Sequence, residues 1–369
     1  MPYLRYDNIR IASLATAVPA HRQCIQIPED AANDRQIKTY VKQIGVQSRH
    51  ISITEQTCVD TGYAAARKAL EMCSLTATDI DGVIFASQTA DFNEATSNAF
   101  LLHYRLGMRE DVLAFDITLG CSSFPFSLSV CAALLQQPNV RRLLLVIGDT
   151  YWPSYPNLQA LLADNRFLIG EGTSAIVLER TPAPVPEITI ALFSDGAGYN
   201  RLFNPFAGYR NAWRRNNLSR ARTGAGQEVV PGSNMDGLEI TTFATTRVVD
   251  AIKSYAEKTG KQPGEYDGVI LHQANKQIVR TMTKRLGLTD EQVPLSQDRY
   301  ANTNGASVPL TISDAFHADT REELHLLTSA FGIGLSWGIA NIRIRPAIIS
   351  PILLVEDDRF EEGYLHPIA

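Results

Sequence analysis

The chain has 369 residues, 45% of them hydrophobic and 20% charged, enough to bury a core without disulfide or metal staples. Its net charge of −5 excludes nucleic acid as the main partner, because phosphate recognition needs a basic field. The five cysteines, Cys24, Cys58, Cys73, Cys121 and Cys131, form no C-x-x-C pair, which excludes a disulfide framework or zinc pattern and points to reduced thiols in a cytoplasmic protein.

The N-terminal segment MPYLRYDNIR lacks a basic start followed by an apolar run, so no signal peptide is expected. No uninterrupted apolar stretch reaches the roughly 18 residues of a membrane span. Apolar spacing predicts a helix over Val59–Glu71. Asp81-Gly82-Val83-Ile84 opens a short apolar run, Val83–Ala86, that reads as a buried strand. Leu113–Ile117 predicts the next strand and leads through Gly120 into Cys121, with a helix following over Ser122–Leu135. A cysteine at that junction lies at the positive end of the helix dipole, which predicts a lowered pKa and a nucleophilic thiolate. Gly120 permits the tight turn that lifts the side chain into a cleft. The other four cysteines read as small buried hydrophobes.

Leu143–Ile147 and Ala175–Leu178 predict further strands. Three prolines at alternate positions then interrupt the pattern at Thr181–Pro186, and Ile188–Phe193 resumes it. Residues 196–232, rich in Gly, Asn and Arg, predict a long loop or cap. A helix follows over Thr241–Glu257, then a strand over Val269–Leu271 that ends at His272. Strand ends are where α/β proteins place chemistry, although a lone histidine there reads first as a core residue. Asn302 and Asn304 precede another helix start; Asn304 suits the capping role at least as well, which leaves Asn302 for other work. Strands over Leu324–Thr328 and Ile339–Ile344 flank Phe331-Gly332-Ile333-Gly334, a turn able to bring a backbone N–H to a substrate oxygen. Beyond Arg345 a tail with Pro346, Pro351 and a late acidic run closes the chain.

The chain also echoes itself. Asp81-Gly82-Val83-Ile84 recurs as Asp267-Gly268-Val269-Ile270, the segment from Gly120 to Pro125 as Gly305–Pro309, and Gly170–Ser174 as Gly332–Ser336, in the same order. Alternating helices and strands in two such copies make the class α/β, with halves at 1–185 and 186–345 and a tail at 346–369.

Taken together, GCSSFPFSL around Cys121, GEGTSAIVLE at Gly170–Glu179, LHQANKQIV around His272, NTNGASVPL around Asn302 and FGIGLSWG at Phe331–Gly338 resemble the β-ketoacyl-acyl-carrier-protein synthase III family of the thiolase superfamily. VKQIGVQSRHI at Val41–Ile51 is similar to that family's N-terminal pattern. The resemblance implies a thiolase-like five-layer αβαβα fold built by duplication, and a homodimer. It implies a triad in which Cys121 carries an acyl group while His272 and Asn302 serve decarboxylation and condensation. It further implies an oxyanion hole from the backbone N–H groups of Cys121 and Ile333. No metal and no bound cofactor are implied: the substrates are an acyl-CoA or acyl-carrier-protein thioester and a malonyl thioester, with acyl carrier protein as partner.

Several positions depart from the family. Ile333 stands in a run of three glycines, and Tyr40 stands near the tryptophan that holds the coenzyme A adenine. The residue with which the partner subunit lines the acyl tunnel in that family aligns near Ala95, with Phe92 close by; Phe92 and Phe331 are the apolar substrate contacts expected. Between Asp195 and Glu228 no acidic residue occurs, while Arg201, Arg210, Arg214, Arg215, Arg220 and Arg222 interleave with aromatics. That segment reads either as a solvated loop or as a surface, centred on Arg214 and Arg215, for a pantetheine phosphate or an acidic carrier. The leading function is decarboxylative Claisen condensation in fatty-acid, polyketide or specialised lipid synthesis. The alternatives are transfer of the Cys121-bound acyl group to a hydroxyl or amine, and a silent partner subunit. A degradative thiolase is disfavoured, since no cysteine follows Cys131.

Overall fold

The computed structural model describes residues 3–27, 35–92, 96–151, 168–205, 210–211, 221–222, 228–229, 234–356 and 360–361. The chain opens with β1 (Tyr3–Tyr6), β2 (Ile9–Pro19), β3 (Arg22–Cys24), α1 (Arg35–Ile44), β4 (Ser48–His50) and α2 (Cys58–Met72). β5 (Gly82–Ala86), α3 (Asn98–Leu106), β6 (Leu113–Ile117), α4 (Ser123–Leu134), β7 (Arg142–Asp149) and β8 (Gly172–Arg180) follow. Next come β9 (Ile188–Ser194) and four two-residue strands, β10 (Leu202–Phe203), β11 (Ala221–Arg222), β12 (Glu228–Val229) and β13 (Asn234–Met235). α5 (Gly237–Phe243) and α6 (Val249–Thr259) are joined by a π-helical turn over Ala244–Val248, so the helix expected at Thr241–Glu257 is longer and locally underwound. The remainder is β14 (Gly268–Leu271), α7 (Lys276–Arg285), α8 (Gln297–Tyr300), α9 (Ser307–Phe316), β15 (Leu324–Gly332), β16 (Ser336–Ile344) and β17 (Leu353–Val355).

Eleven of the strands form two sheets, ordered β17-β2-β8-β7-β5-β6 and β1-β9-β16-β15-β14. α4 and α9 pack between them and touch strands of both. A helix enclosed on both sides has no polar face to keep, and SFPFSLSVCAAL and SVPLTISDAF are correspondingly apolar or small throughout. Both carry proline in the first turn, Pro125 and Pro309, where a missing N–H costs no helical hydrogen bond. Phe124, Leu128, Val308 and Ile312 fill the space between the sheets with Ile84, Ile176, Ile270 and Leu326. At about 1.5–3 kcal/mol per buried large side chain, this layer is a principal source of stability. α2 and α3 cover the outer face of the six-stranded sheet, and α5, α6 and α7 cover that of the five-stranded sheet. The result is the five-layer αβαβα stack that the resemblance implies.

Thr181–Pro186 lies between β8 of one sheet and β9 of the other. The chain ends cross over: β1 pairs antiparallel with β9, and β17 pairs parallel with β2. The segment predicted as a loop or cap contains, among its described residues, a 3-10 turn at Gly196–Gly198 and the short strands β10 to β12. Among the described residues no helix is long and apolar enough to cross a membrane.

Candidate active site

β5 and β6 run parallel, as do β14 and β15, and the chain leaves β6 and β14 toward one cavity of about 280 Å³. Cys121, His272 and Asn302 all line it, with Phe331 and Gly332. Tyr40 and Ile44 of α1 and Leu202, Met235 and Ile240 supply more of the wall. α1 is held over α7 at Gly45, where a Cβ would come within 2.6 Å of the Lys276 side chain; the backbone there has φ +73°, so glycine is required twice over.

Cys121 sits just ahead of α4 and is almost fully buried. A Cβ on Gly120 before it would lie 2.3 Å from Gln88 Oε1, so any larger residue there would push that side chain aside. Gly332 packs against the cysteine from β15, and a Cβ there would lie 2.5 Å from Cys121 Cβ. The next turn is tied down from both sides: Ser336 Oγ donates to the Ile333 carbonyl at 2.5 Å and lies 2.6 Å from Ser122 Oγ. The lowered thiol pKa expected from the helix dipole is not what the site gives. Burial, followed by the charge of Asp149, pushes the thiol up to about 12. Desolvation of a sulfur anion outweighs the half-charge at one helix end.

His272 follows the last residue of β14, and its backbone N–H donates to the Ser329 carbonyl at 2.8 Å. Its Nδ1 lies 2.7 Å from Ser307 Oγ, and that hydroxyl also accepts the Gln273 N–H at 3.4 Å. When the Ser307 hydroxyl donates to Nδ1, the ring proton stands on Nε2, the nitrogen that faces away from Ser307. Burial lowers the imidazole pKa to about 3, so the ring is neutral. Phe331 meets it edge-on, with centroids 5.2 Å apart. Asn275 caps α7, accepting the Ile278 N–H at 2.7 Å.

Asn302 is held by its backbone: its N–H donates to the Leu168 carbonyl at 2.9 Å, and its carbonyl accepts the Gly170 N–H at 3.1 Å. Its Oδ1 accepts the Asn304 N–H at 2.9 Å, which leaves the Nδ2 end for a substrate oxygen. Asn304 does not cap a helix as the sequence suggests. It adopts φ +54°, and its carboxamide oxygen accepts from Cys121 Sγ at 2.6 Å. Its Nδ2 donates to Asp149 Oδ2 and Tyr151 Oη, both at 2.6 Å. Asp149 ends β7 and is buried, accepting from Ser87 Oγ, the Gln88 N–H and Thr89 Oγ1 as well. Burial raises its carboxyl to about 6 against those hydrogen bonds.

The three residues singled out as a triad are therefore together, on one cavity, with Phe331 beside them. Tyr40 lines the same cavity. Ile333 is half-buried in the β15–β16 turn and is not among the lining residues. Phe92 is also half-buried and is not among the residues that line this chain's own cavity; it follows Asp91, which is held by Thr57 and Asn98. Ala95, Arg214 and Arg215 lie outside the described residues. Sequence reasoning missed Asp149, Asn304 and Ser307. Asp149 carried a signal, a charge at the end of an apolar strand, VIGD. A thiol, a neutral imidazole and a carboxamide donor on one apolar-walled cavity suit acyl capture and enolate stabilisation.

A family model described as 3-oxoacyl-[acyl-carrier-protein (ACP)] synthase III matches residues 115–196, and one described as the C terminal of that enzyme matches 256–344. The β-ketoacyl-[acyl-carrier-protein] synthase III of Thermosynechococcus vestitus is 31% identical over 91% of this chain and 98% of that protein. The protein of the same name from Coxiella burnetii is 29% identical over 91% and 99%. Among solved structures, a 3-oxoacyl-(acyl-carrier protein) synthase from Burkholderia xenovorans LB400 matches with TM-score 0.84 and 28% identity, over 96% of this chain and 99% of that one.

Proposed function

This chain belongs to the β-ketoacyl-[acyl-carrier-protein] synthase III family of thiolase-like condensing enzymes, and from that premise we propose that it joins an acyl group to a malonyl thioester with loss of carbon dioxide. The observation that carries the reading is the common cavity of Cys121, His272 and Asn302, with the imidazole neutral and, among the described residues, no hydrogen bond taken up by His272 Nε2 or Asn302 Nδ2.

In the first half-reaction Cys121 Sγ bonds to the acyl carbon and the carrier sulfur departs, taking the thiol proton. Backbone N–H groups of Cys121 and Ile333 hold the tetrahedral oxyanion. A malonyl thioester then enters, and its bond to the carboxylate breaks. Carbon dioxide leaves, and the electron pair becomes an enolate whose oxygen is held by His272 Nε2–H and Asn302 Nδ2–H. The α-carbon attacks the acyl carbonyl, the carbon–sulfur bond to Cys121 breaks, and the sulfur takes up one proton. A neutral histidine suits this step, since its N–H is too weak an acid to protonate and quench the enolate while still holding its oxygen.

The acyl donor is a thioester of coenzyme A or of acyl carrier protein, and Tyr40 at the cavity wall in place of the family tryptophan favours the carrier protein. We also assign a homodimer. β6 is an edge strand of the six-stranded sheet, and Leu113 on it and Phe100 and Tyr104 on α3 expose large apolar surfaces that a second copy would cover. Sedimentation of the wild type and Tyr104→Glu as dimer and monomer checks this, and a monomeric wild type refutes it.

The test of the reaction is mass analysis of products formed from an acyl thioester and malonyl-carrier labelled at its free carboxyl. Condensation releases that label as carbon dioxide and yields a β-ketoacyl thioester. An ester or amide with the label retained in malonate means simple acyl transfer instead.

A further inference from the structure

Asn304 has an unusual place for a residue that no catalytic step requires. Its side chain bonds the nucleophile, and its backbone N–H bonds Asn302, so it touches two members of the triad at once. A carboxamide has a donor end and an acceptor end, and its partners decide which way it points. Here the donor end meets two acceptors, Asp149 Oδ2 and Tyr151 Oη. Turning it over would press the carbonyl oxygen against the Asp149 carboxylate. The acceptor end is therefore fixed toward Cys121 Sγ.

We propose that Asp149 and Asn304 form a gate on the nucleophile: Asp149 sets the direction of the Asn304 carboxamide, and its carbonyl holds Cys121 as a thiol until acyl thioester is bound. The inference rests on Cys121 being the acyl acceptor. Asn304 touches the reacting sulfur, whereas Asp149 acts through it and is a positioning residue. A thiolate in this position would face the negative end of the carbonyl dipole with a carboxylate behind it, and both disfavour ionisation. The charged and titratable groups around the pair are few. Asp149 is surrounded by Ser87, Gln88 and Thr89, by Tyr151 and by the Cys58 thiol, which feels its charge. Tyr151 leads on to Glu171, which accepts the Tyr151 N–H at 2.7 Å. His272, across the cavity, is neutral, and among the described residues no cation is hydrogen-bonded to Asp149 or Cys121 to offset the carboxylate. The gate keeps a cysteine that lines the substrate cavity from reacting with stray electrophiles that enter it.

The experiment is the pH profile of Cys121 alkylation by iodoacetamide, followed by peptide mass mapping so that the other four cysteines are counted separately. Asp149→Asn keeps the side-chain shape but places an amide donor before Asn304, which turns the carboxamide and presents its N–H to the sulfur. Asn304→Gly keeps the left-handed backbone and deletes the acceptor. The expected wild-type rate is low at pH 7.5 and still rising at pH 10. Asp149→Asn should alkylate at least about tenfold faster at pH 7.5, equivalent to one unit of thiol acidity, and Asn304→Gly should move in the same direction. A folded Asp149→Asn protein within twofold of wild type overturns the proposal, as does a wild-type profile that levels off below pH 8. So does a fast Asp149→Asn beside an unchanged Asn304→Gly, because Asp149 then acts by charge alone. Should Asp149→Asn not fold, Asn304→Gly carries the test. Alkylation reads the thiol whether or not a condensation product forms, so failure here is distinct from failure of the proposed reaction.

Discussion

Replacing Ser307 by alanine should separate the two half-reactions. The hydroxyl is buried, 2.7 Å from His272 Nδ1, and takes the Gln273 N–H on its other side. Without it, Nδ1 is left unpaired in a dry site, and the hydroxyl that can direct the ring proton to Nε2 is gone. A buried polar group without its partner costs about 1–3 kcal/mol, and the smaller half of that range already corresponds to a roughly tenfold slower step. The loss falls where the imidazole donor is needed. Carbon dioxide release from a malonyl thioester should therefore drop roughly tenfold or more, while acylation of Cys121, followed by intact mass, should stay within about twofold. The wild-type decarboxylation rate should show no titration of His272 between pH 5 and 8, because that group is held at about 3. Equal loss in both half-reactions would refute the reasoning, and so would a histidine-like midpoint near pH 6.5.

Other perturbations have equally definite outcomes. Gly332→Ala drives a methyl to within 2.5 Å of Cys121 Cβ; the strain should lower stability by about 1–3 kcal/mol in urea unfolding and slow acylation at least about tenfold. Arg105 and Asp60 form a buried ion pair at 2.7 Å, covered by Phe360, whose ring lies 4.0 Å below the guanidinium. Arg105→Ala leaves the buried Asp60 carboxylate with hydrogen bonds from Thr57 but without this cation, and should cost about 3–5 kcal/mol by the same measurement. Asp91 is pushed up to about 6, chiefly by burial. A carboxyl raised in the folded state favours folding below its ordinary pKa and loses that contribution as pH rises from about 4 to 6. The stability of wild type relative to Asp91→Asn should therefore fall on the order of 3 kcal/mol between pH 4 and 7, and a constant difference refutes the assignment.

Much of the architecture was legible because buried strands are written as apolar runs. β5, β6, β7 and β14 were located by their Val, Ile and Leu content within a few residues. β2, the longest strand, was not, because IRIASLATAVP buries small residues that carry no strand signal of their own. The exchange of β1 and β17 between sheets depends on tertiary pairing that no local pattern encodes. At the site, the junction of strand and helix identified Cys121, and strand end and motif identified His272 and Asn302. The acidity of Cys121 was misjudged because the helix start is local in sequence, whereas Asp149 and Asn304 arrive from distant segments. Asn304 read as a cap because an asparagine before a helix usually is one; only folding brings it against the sulfur.

The most direct measurement is the intact mass of the protein after exposure to a panel of acyl thioesters on coenzyme A and on acyl carrier protein, with Cys121→Ala beside it. A single acyl adduct, mapped to the peptide that carries Cys121 and absent from the variant, is the predicted result. A wild-type protein that stays unlabelled, or a variant that takes up the acyl group as readily, contradicts the assignment of Cys121 as the acyl carrier.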